Sequence, residues 1–432
     1  MIRQIILVAL AFVMLCTPAS KISLGAAGGG DGTASSTCSA NPDYDKYFTG
    51  EKLRIDIVLA GNRTEQHAYL DKLSREAEWT GNPASLINRF GYGQYCYEAF
   101  AEDGTLVYSN SFSTLFEEWR TTPQADKVDM AAGQTLWMPM PKEKVHFVLY
   151  ERVRATGLFS PFFEMDIDPY DTHIEPLVAK ASSEVLLLGG DNAHKVDLTF
   201  AAEGYSASEM EKFRSDALRF MNYLFTMEPY ASRKDDFNVR LVYNVSEDSG
   251  VDIPQWGQWR STVMDSMFDT FYEDRYLTIM DHRKIADAIA GVPTDVVMVI
   301  ANSEKYGGGG IYNSYAMGTC DHKLSEIVFV HEFGHSFAGL GDEYYDSSVA
   351  YEDYYPAGVE PWEPNITTQV DFASKWQDMM GQDGVGLYEG AGYQAKGCWR
   401  PYPECRMLNN TAPGFCPVCQ RAISSMIDYY VK

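Results

Sequence analysis

The sequence predicts a mixed fold of the α+β and α/β classes: an antiparallel β-sandwich over residues 41–185, followed by an α/β domain with a mixed sheet over residues 190–432. Short aromatic and β-branched runs separated by turn residues predict the sandwich. Alternating helical and strand patterns after residue 194 predict the second domain. The segment 181–192, which ends Gly-Gly-Asp-Asn, is the predicted boundary.

Residues 1–20 have the pattern of a secretory signal peptide, because the apolar stretch 5–15 is too short to span a bilayer as a mature helix. Residues 21–40 are rich in Gly, Ala, Ser and Thr and are expected to form a flexible tether. Lipid attachment at Cys16 is an alternative to simple cleavage, although leucine precedes this cysteine where a small residue is usual. We therefore expect an exported protein that is periplasmic, outer-membrane-associated or secreted. No later segment is apolar enough to cross a membrane.

Five runs supply the predicted strands of the sandwich. They are residues 53–59, 95–100, 105–108, 145–150 and 161–167. Turn residues such as Gly61-Asn62 and Asp103-Gly104 separate them, which favours antiparallel neighbours. Packing and positioning is the role that we expect for this domain, and binding of a glycan or of substrate is the alternative.

Three strands and two helices are predicted in the second domain ahead of its most informative segment. The strands are residues 196–200, 239–245 and 295–300, and the helices are residues 206–227 and 265–289. The first helix is amphipathic, with Met210, Phe213 and Leu218 among its apolar side chains. The strand at 295–300 is almost entirely apolar, which is typical of a strand that is buried on both faces.

Four consecutive glycines, residues 307–310, precede the alternating run 311–316. A Walker-type lysine followed by serine or threonine does not come after them, which argues against nucleotide binding. Glycines beside a strand favour a bulged sheet edge that another part of the chain approaches closely. A plain flexible loop is the alternative.

The segment His331-Glu332-Phe333-Gly334-His335 has the HExxH pattern. Two imidazoles four residues apart lie on one face of a helix, where both can reach a single metal ion. Glu332 follows the first histidine directly and can hold a water molecule instead of the metal, so we predict it as the general base. Apolar neighbours favour a buried helix, and Gly339 is its expected end because glycine tolerates a positive φ.

A catalytic zinc ion typically has three protein ligands and one open position, so His331 and His335 need a partner. We predict Asp342, which follows the expected turn at Gly339, and keep Glu343 as the alternative. The predicted cofactor is therefore one catalytic Zn²⁺ ion. The contrasting interpretation is that both acids belong to a solvated loop or bind a structural cation.

Residues 344–376 are rich in Tyr, Asp, Glu and Pro and are predicted to form a solvated loop. Asp346, Glu352 and Asp353 are the oxygen ligands that a Ca²⁺ ion would use in this loop. They lack the spacing of an EF-hand, so a solvated loop is the favoured interpretation and a calcium site the alternative.

The cysteines after Cys16 are odd in number, so at least one stays free or pairs elsewhere. They are Cys38, Cys96, Cys320, Cys398, Cys405, Cys416 and Cys419. Export permits disulfides, and we expect disulfide or structural use of the last four. The alternative is that Cys416-Pro417-Val418-Cys419 is half of a second zinc site.

The run 331–344 resembles the IgA peptidase family of metallopeptidases (M64). A second segment agrees: Pro403-Glu404-Cys405-Arg406-Met407, followed by Phe415-Cys416-Pro417-Val418-Cys419. The resemblance implies a secreted or envelope zinc endopeptidase with a metzincin-like catalytic domain and a zinc-binding helix. It also implies that Met407 forms a methionine turn beneath the metal. The edge strand at Gly310, Ile311 and Tyr312 would pair with an extended peptide substrate.

The chain departs from the metzincin pattern HExxHxxGxxH/D in two places. One extra residue separates His335 from Gly339, which leaves the third ligand open between Asp342 and Glu343. Leu408 and Asn409 follow Met407, so the usual Met-x-Tyr is missing and that segment implies no tyrosine ligand.

Composition and charge limit the remaining function classes. Among 432 residues, 45% are hydrophobic and 13% aromatic, which is enough for sizeable cores. The formal net charge of -25 argues against a surface for nucleic acid or anionic membranes. We therefore expect an exported zinc-dependent endopeptidase that acts on a protein or peptide. The alternatives are an envelope protein that binds glycans or proteins and holds a structural zinc ion, and a zinc amidase that acts on peptidoglycan.

Overall fold

Two four-stranded sheets form the N-terminal part of the computed structural model, which describes residues 41–178, 182–345 and 355–432. The elements of this part are α1 (Tyr44–Tyr47), β1 (Phe48–Gly61), β2 (Gln66–Glu76), β3 (Tyr95–Ala101), β4 (Leu106–Phe112), α2 (Leu115–Trp119), β5 (Met130–Pro141), β6 (Val145–Val153), β7 (Leu158–Ile167) and β8 (Glu175–Pro176). The strand orders are β5-β1-β2-β8 and β4-β3-β6-β7. Neighbouring strands are antiparallel except β2 and β8, which pair in parallel.

Side chains from both sheets form one hydrophobic core, which includes Leu53 and Ile55 of β1 and Tyr95 of β3. All five predicted strand runs overlap observed strands. The sequence missed β2, β5 and the two-residue strand β8. Most side chains of β2 are polar and at least partly exposed, and β5 contains Gly133 and two prolines, so neither has an ordinary strand composition. The sandwich arrangement itself stays a prediction.

A six-stranded mixed sheet is the framework of the C-terminal part. The elements here are β9 (Ser182–Leu188), β10 (Val196–Glu203), α3 (Met210–Leu224), β11 (Phe237–Tyr243), α4 (His282–Ala288), β12 (Val296–Ala301), β13 (Gly308–Ile311), β14 (Tyr315–Thr319), α5 (Ser325–Ala338), β15 (Tyr388–Ala391), β16 (Gln394–Arg400) and α6 (Pro417–Val431). The sheet order is β13-β14-β12-β10-β11-β9. The four inner strands are parallel, and each edge strand is antiparallel to its neighbour. The predicted mixed sheet is confirmed.

The helix that carries the HExxH motif packs on one face of this sheet together with α3 and α6. Phe329 of α5 stacks on Phe200 of β10 with ring centroids 5.5 Å apart, and it lies 4.5 Å from the ring of Phe220 on α3. The opposite face of the sheet packs against α4 and the irregular segment before it. The buried contacts of Phe329 fix the position of α5 and hence of the motif.

The predicted helix at 265–289 is wrong over most of its length, because only His282–Ala288 is α-helical. The buried carboxylate of Glu203 accepts hydrogen bonds from the backbone N–H groups of Met264 and Ser266, each at 3.0 Å. Asp265 and Asp269 have positive φ angles, which a right-handed helix excludes. Long-range hydrogen bonds therefore replace helical ones in this segment.

The predicted boundary segment 181–192 contains β9, which pairs with β11. Residues 182–185, which the sequence analysis assigned to the first domain, thus belong to the six-stranded sheet. The two parts are also joined by polar contacts: the Ser113 N–H donates to the Tyr312 carbonyl at 2.9 Å. The division into two domains stays a prediction.

Some predicted features lie outside the described residues. They are the signal peptide at 1–20, the tether at 21–40, Cys16, Cys38, and the calcium candidates Asp346, Glu352 and Asp353. Within residues 41–178, 182–345 and 355–432, no helix has the length and apolar character that crossing a bilayer requires.

Candidate metal centre

The two motif histidines lie one turn apart on α5 and point to the same place. Their ring centroids are 4.7 Å apart and their Nε2 atoms are 3.0 Å apart. Oδ1 of Asp342 lies 3.1 Å from Nε2 of His331 and 3.2 Å from Nε2 of His335. Three of the predicted ligands are therefore brought together by the fold.

The outer nitrogen of each ring identifies the tautomer. Nδ1 of His331 lies 3.0 Å from the carbonyl of Arg406, and Nδ1 of His335 lies 2.5 Å from the carbonyl of Leu340. A carbonyl oxygen can only accept, so Nδ1 carries the proton in each neutral ring and Nε2 presents a lone pair. Both lone pairs face Oδ1 of Asp342, which is buried and has no hydrogen-bond donor among the described residues.

Three acceptors that face one another repel unless a cation lies between them. Burial alone would lower the pKa of His335, but the adjacent Asp342 carboxylate raises it to about 9, so a proton binds here when no metal does. Burial would likewise raise the pKa of Asp342, and the two imidazoles instead lower it well below its usual range. Two imidazoles and one carboxylate are a ligand set that suits catalytic zinc, so these residues fit the ion.

A left-handed turn at Gly339 forms the centre. Its φ is 64°, and it ends α5 through hydrogen bonds from its own N–H and that of Leu340 back to the last helical turn. The reversal brings the Leu340 carbonyl to His335 and carries Asp342 to the Nε2 atoms. The predicted end of the helix at Gly339 is confirmed.

Glu343, the alternative third ligand, points to a different part of the molecule. Its Oε1 lies 3.3 Å from Sγ of Cys419, within a buried group that also contains Cys405 and Cys416. The geometry therefore groups Asp342, rather than Glu343, with the histidines.

Met407 lies under the motif helix. It is completely buried, and a Cβ atom built on Gly334 would come within 2.9 Å of its Sδ atom. Its carbonyl accepts a hydrogen bond from the Glu343 N–H at 2.9 Å. The segment that provides Met407 also provides the Arg406 carbonyl that orients His331, so it borders the centre on two sides.

Glu332 lines a pocket that contains the histidines and Asp342. Burial and the nearby Asp342 carboxylate raise the pKa of its carboxyl group, while the two histidines and Arg275 act in the opposite direction. The carboxylate packs beside the glycine strand, since a Cβ on Gly308 would lie 3.0 Å from its Cγ. Glu332 is therefore placed beside the three converging acceptors without being one of them.

Three further lining residues escaped the sequence analysis: Tyr393, Arg275 and Glu118. The Tyr393 hydroxyl donates a hydrogen bond to Oδ2 of Asp342. Glu118 comes from α2 in the N-terminal part, accepts a hydrogen bond from the Tyr276 hydroxyl at 2.6 Å, and has its pKa raised to about 7 by burial. Each is distant in sequence from the motif, and no local pattern marks it.

The predicted edge strand is present as β13, at the end of the six-stranded sheet. Gly310 and Ile311 lie in it, whereas Tyr312 lies in the following turn, which corrects its predicted place in the strand. The ring of Tyr312 instead packs against Tyr92 and Trp362. A Cβ on Gly310 would lie 2.3 Å from the Glu332 carbonyl, so glycine is what permits β13 to approach α5.

Of the disulfide or structural use expected for the last four cysteines, the disulfide form is not found among the described residues. Cys96, Cys320, Cys398, Cys405, Cys416 and Cys419 are all free thiols, and none of these six forms a disulfide within the described ranges. Cys398 lies apart, in a small apolar cluster with Tyr355 and Ile366.

Comparison with known proteins covers most of the described chain. A family model described as IgA Peptidase M64 matches residues 185–384 and 380–427, which include the motif, Asp342 and Met407. A second, described as Peptidase M64 N-terminus, matches residues 43–162 and includes Glu118. A search of curated proteins finds no match.

Proposed function

Because the chain belongs to the IgA peptidase M64 family, we propose that it is an exported zinc-dependent endopeptidase that hydrolyses peptide bonds of a protein substrate. Family membership identifies it as a peptidase. In the proposal, His331, His335 and Asp342 bind one catalytic zinc ion and Glu332 is the general base. A metzincin-like topology of the C-terminal part and a sandwich form of the N-terminal part belong to the same proposal.

One observation carries the proposal: three hydrogen-bond acceptors converge within 3.2 Å of one another at the base of a pocket. Backbone carbonyls orient the two rings from behind, which is the usual arrangement for histidines that bind a metal. The pocket beside them leaves room for a substrate carbonyl and water.

Zinc, when bound, would polarise the scissile carbonyl and lower the pKa of a water molecule. Glu332 would accept a proton from the attacking water and then deliver it to the leaving amine. Arg275 lines the same pocket, and its positive charge favours the ionised form of Glu332 that accepts the proton. Met407 would support the helix from below as a hydrophobic floor.

Backbone hydrogen bonding along β13 supports a place for the substrate. The N–H and C=O groups of Gly308 pair outward with Arg275 and Leu277. Bonding direction alternates along a strand, so those of Gly310 point to the same outer side. Gly310 itself lies against the turn of α5 that carries His335. An extended peptide that pairs with β13 at Gly310 would form main-chain hydrogen bonds there. Such bonds do not depend on the side chains of the peptide. The signal-peptide pattern at residues 1–20 supports export of such an enzyme.

The test is Glu332→Gln, which keeps the shape of the side chain and removes its ability to take up a proton. Purified protein is incubated with denatured protein, immunoglobulin and cell-wall fragments, and the products are identified by mass spectrometry. We expect wild type to release peptides and the variant to lose about 10²- to 10⁴-fold in rate, with unchanged zinc content.

Glu326→Gln is the matched control. Glu326 lies on the same helix but pairs with Arg219, away from the pocket. The activity of this variant should therefore remain near that of wild type. Full hydrolysis by the Glu332 variant would remove this residue from the mechanism. Release of cell-wall products without peptide products would favour the amidase instead.

A further inference from the structure

A second group of potential metal ligands lies behind the candidate centre. It consists of Glu343, Cys405, Cys416 and Cys419, all of them buried, and their ligand atoms lie within 4.8 Å of one another. Sγ of Cys405 is 3.7 Å from Sγ of Cys419, which is 3.3 Å from Oε1 of Glu343. Four side chains from three separate chain segments therefore converge on one point.

The sulfur spacing is compatible with a metal site and not with a disulfide. Sulfurs that bind one tetrahedral zinc at about 2.3 Å lie about 3.8 Å from each other, whereas bonded sulfurs lie about 2.0 Å apart. The observed 3.7 Å matches the first value. A disulfide between two of the three cysteines would also leave the third thiol buried beside the Glu343 carboxylate with no bonding partner of its own kind.

Local donors at this group would stabilise negative charge on its ligands. Cys416 caps the N-terminus of α6, a helix of 15 residues, and its N–H donates to Sγ of Cys405 at 3.3 Å. Helix N-termini and N–H donors stabilise thiolates. Asn365 donates to Oε1 of Glu343 at 3.0 Å, while Oε2, fully buried, finds no hydrogen-bond partner in the part of the chain that the structure describes.

A third group provides a contrast. Asp216, Cys320 and Asp321 also lie close together, but the ammonium group of Lys212 lies among them, 2.9 Å from Asp216 and 3.0 Å from both Cys320 and Asp321. The Lys212 ammonium group already balances the negative charge of this group, so we do not propose a metal site there.

We propose that Glu343, Cys405, Cys416 and Cys419 bind a second zinc ion, which is structural. Three thiols would release their protons to solvent, and three thiolates with one carboxylate would complete a tetrahedral shell that leaves no position for water. This inference goes beyond peptide hydrolysis and does not rest on it.

The location gives this ion a positioning role for the first centre. Glu343 follows Asp342 directly, and its N–H donates to the Met407 carbonyl at 2.9 Å. Cys405 precedes Arg406, whose carbonyl orients His331. An ion bound to both segments would join the loop that carries the third ligand to the segment beneath the helix.

Metal content per chain, measured by mass spectrometry on protein purified without reductant, tests the inference. We expect two zinc ions in wild type, one in His331→Gln/His335→Gln and one in Cys416→Ser/Cys419→Ser. Cys96→Ser is the control, because Cys96 is a free thiol on β3 away from the group, and it should keep two. The second zinc should remain in the histidine variant whether or not the protein hydrolyses peptides. Failure of the peptidase proposal can therefore be distinguished from failure of this one.

A second readout does not depend on whether the cysteine variant folds. The His331→Gln/His335→Gln protein loaded with Co²⁺ should show thiolate-to-cobalt charge-transfer absorption. Alkylation of the unfolded, metal-free wild type should modify Cys405, Cys416 and Cys419 without prior reduction. Absence of the absorption band, or recovery of these cysteines as disulfide-linked peptides, would overturn the inference.

Discussion

At the scale of single residues, the candidate centre depends on side chains that orient its ligands. Asp342 presents Oδ1 to the two histidines, and its other oxygen accepts a hydrogen bond from Tyr393. The aromatic ring of Tyr344 stacks on His331 with centroids 6.3 Å apart. Partners of this kind set the direction of a ligand, and their loss typically costs metal affinity as well as activity.

We predict that Tyr393→Phe weakens zinc binding about 10- to 100-fold, because Oδ2 of Asp342 loses its donor while the ring remains. Competition with a chromophoric chelator measures this affinity. Tyr388→Phe is the matched control, since Tyr388 lies in the same hairpin and its hydroxyl donates only to the Gly384 carbonyl among the partners seen. Equal affinities for the two variants would show that Tyr393 does not orient Asp342.

At the scale of secondary structure, the contact between β13 and α5 shapes the pocket. Glycines at positions 308 and 310 let the strand lie directly against the turn that carries Glu332 and His335. A Cβ on Gly310 would lie 2.3 Å from the Glu332 carbonyl and 2.9 Å from Cβ of His335. The spacing between strand and helix therefore depends on the absence of side chains.

Gly310→Ala should lower the free energy of unfolding by about 1–3 kcal/mol, as overpacking usually does, and should lower activity because the strand must move from the helix. Urea unfolding and peptide hydrolysis check both effects. Gly318→Ala on β14 is the control, because a Cβ there meets nothing within 4 Å. If both variants were equally stable and active, the close packing at Gly310 would contribute to neither stability nor activity.

At the scale of the whole molecule, the N-terminal sheets and the C-terminal sheet share a buried interface. His282, the first residue of α4, lies in it at 3% exposure. Its Nδ1 accepts from the Thr135 N–H at 3.4 Å, and its ring lies 5.6 Å from that of Trp137. Burial lowers the pKa of His282 to about 4 from 6.5; the backbone of Ser314 and the carboxylate of Asp281 oppose this shift, and Arg54 adds to it.

This shift predicts a dependence of stability on pH. The unfolded chain binds a proton at His282 below about pH 6.5, while the folded chain stays neutral there until about pH 4, so stability falls as the pH drops between these values. Between about pH 7.5 and pH 5 the loss from this residue is about 2 kcal/mol.

The measurement is urea unfolding at both pH values. His282→Gln should lose about 2 kcal/mol less than wild type on acidification. His173→Gln, which changes a side chain that is 92% exposed, should behave as wild type. An unchanged pH dependence in the His282 variant would contradict a neutral, buried imidazole.

Much of the motif could be predicted because its geometry is local. The four-residue spacing of His331 and His335 puts both rings on one face of any helix, and Gly339 permits the turn that ends it. The parallel strand β12 was predictable from its continuous apolar run. The stretch after residue 264 was not, because its backbone donates to Glu203 from another strand.

The sequence by itself determined the paired histidines, the adjacent glutamate, the helix that carries them and the family. Tertiary structure alone placed Asp342, and not Glu343, beside the two histidines, brought Tyr393 and Glu118 to the pocket, and assembled three thiols around Glu343. The physical reason is the separation along the chain of the residues that make contact. Helical periodicity relates residues a turn apart, whereas these contacts join separate segments whose meeting depends on how the sheets and helices pack.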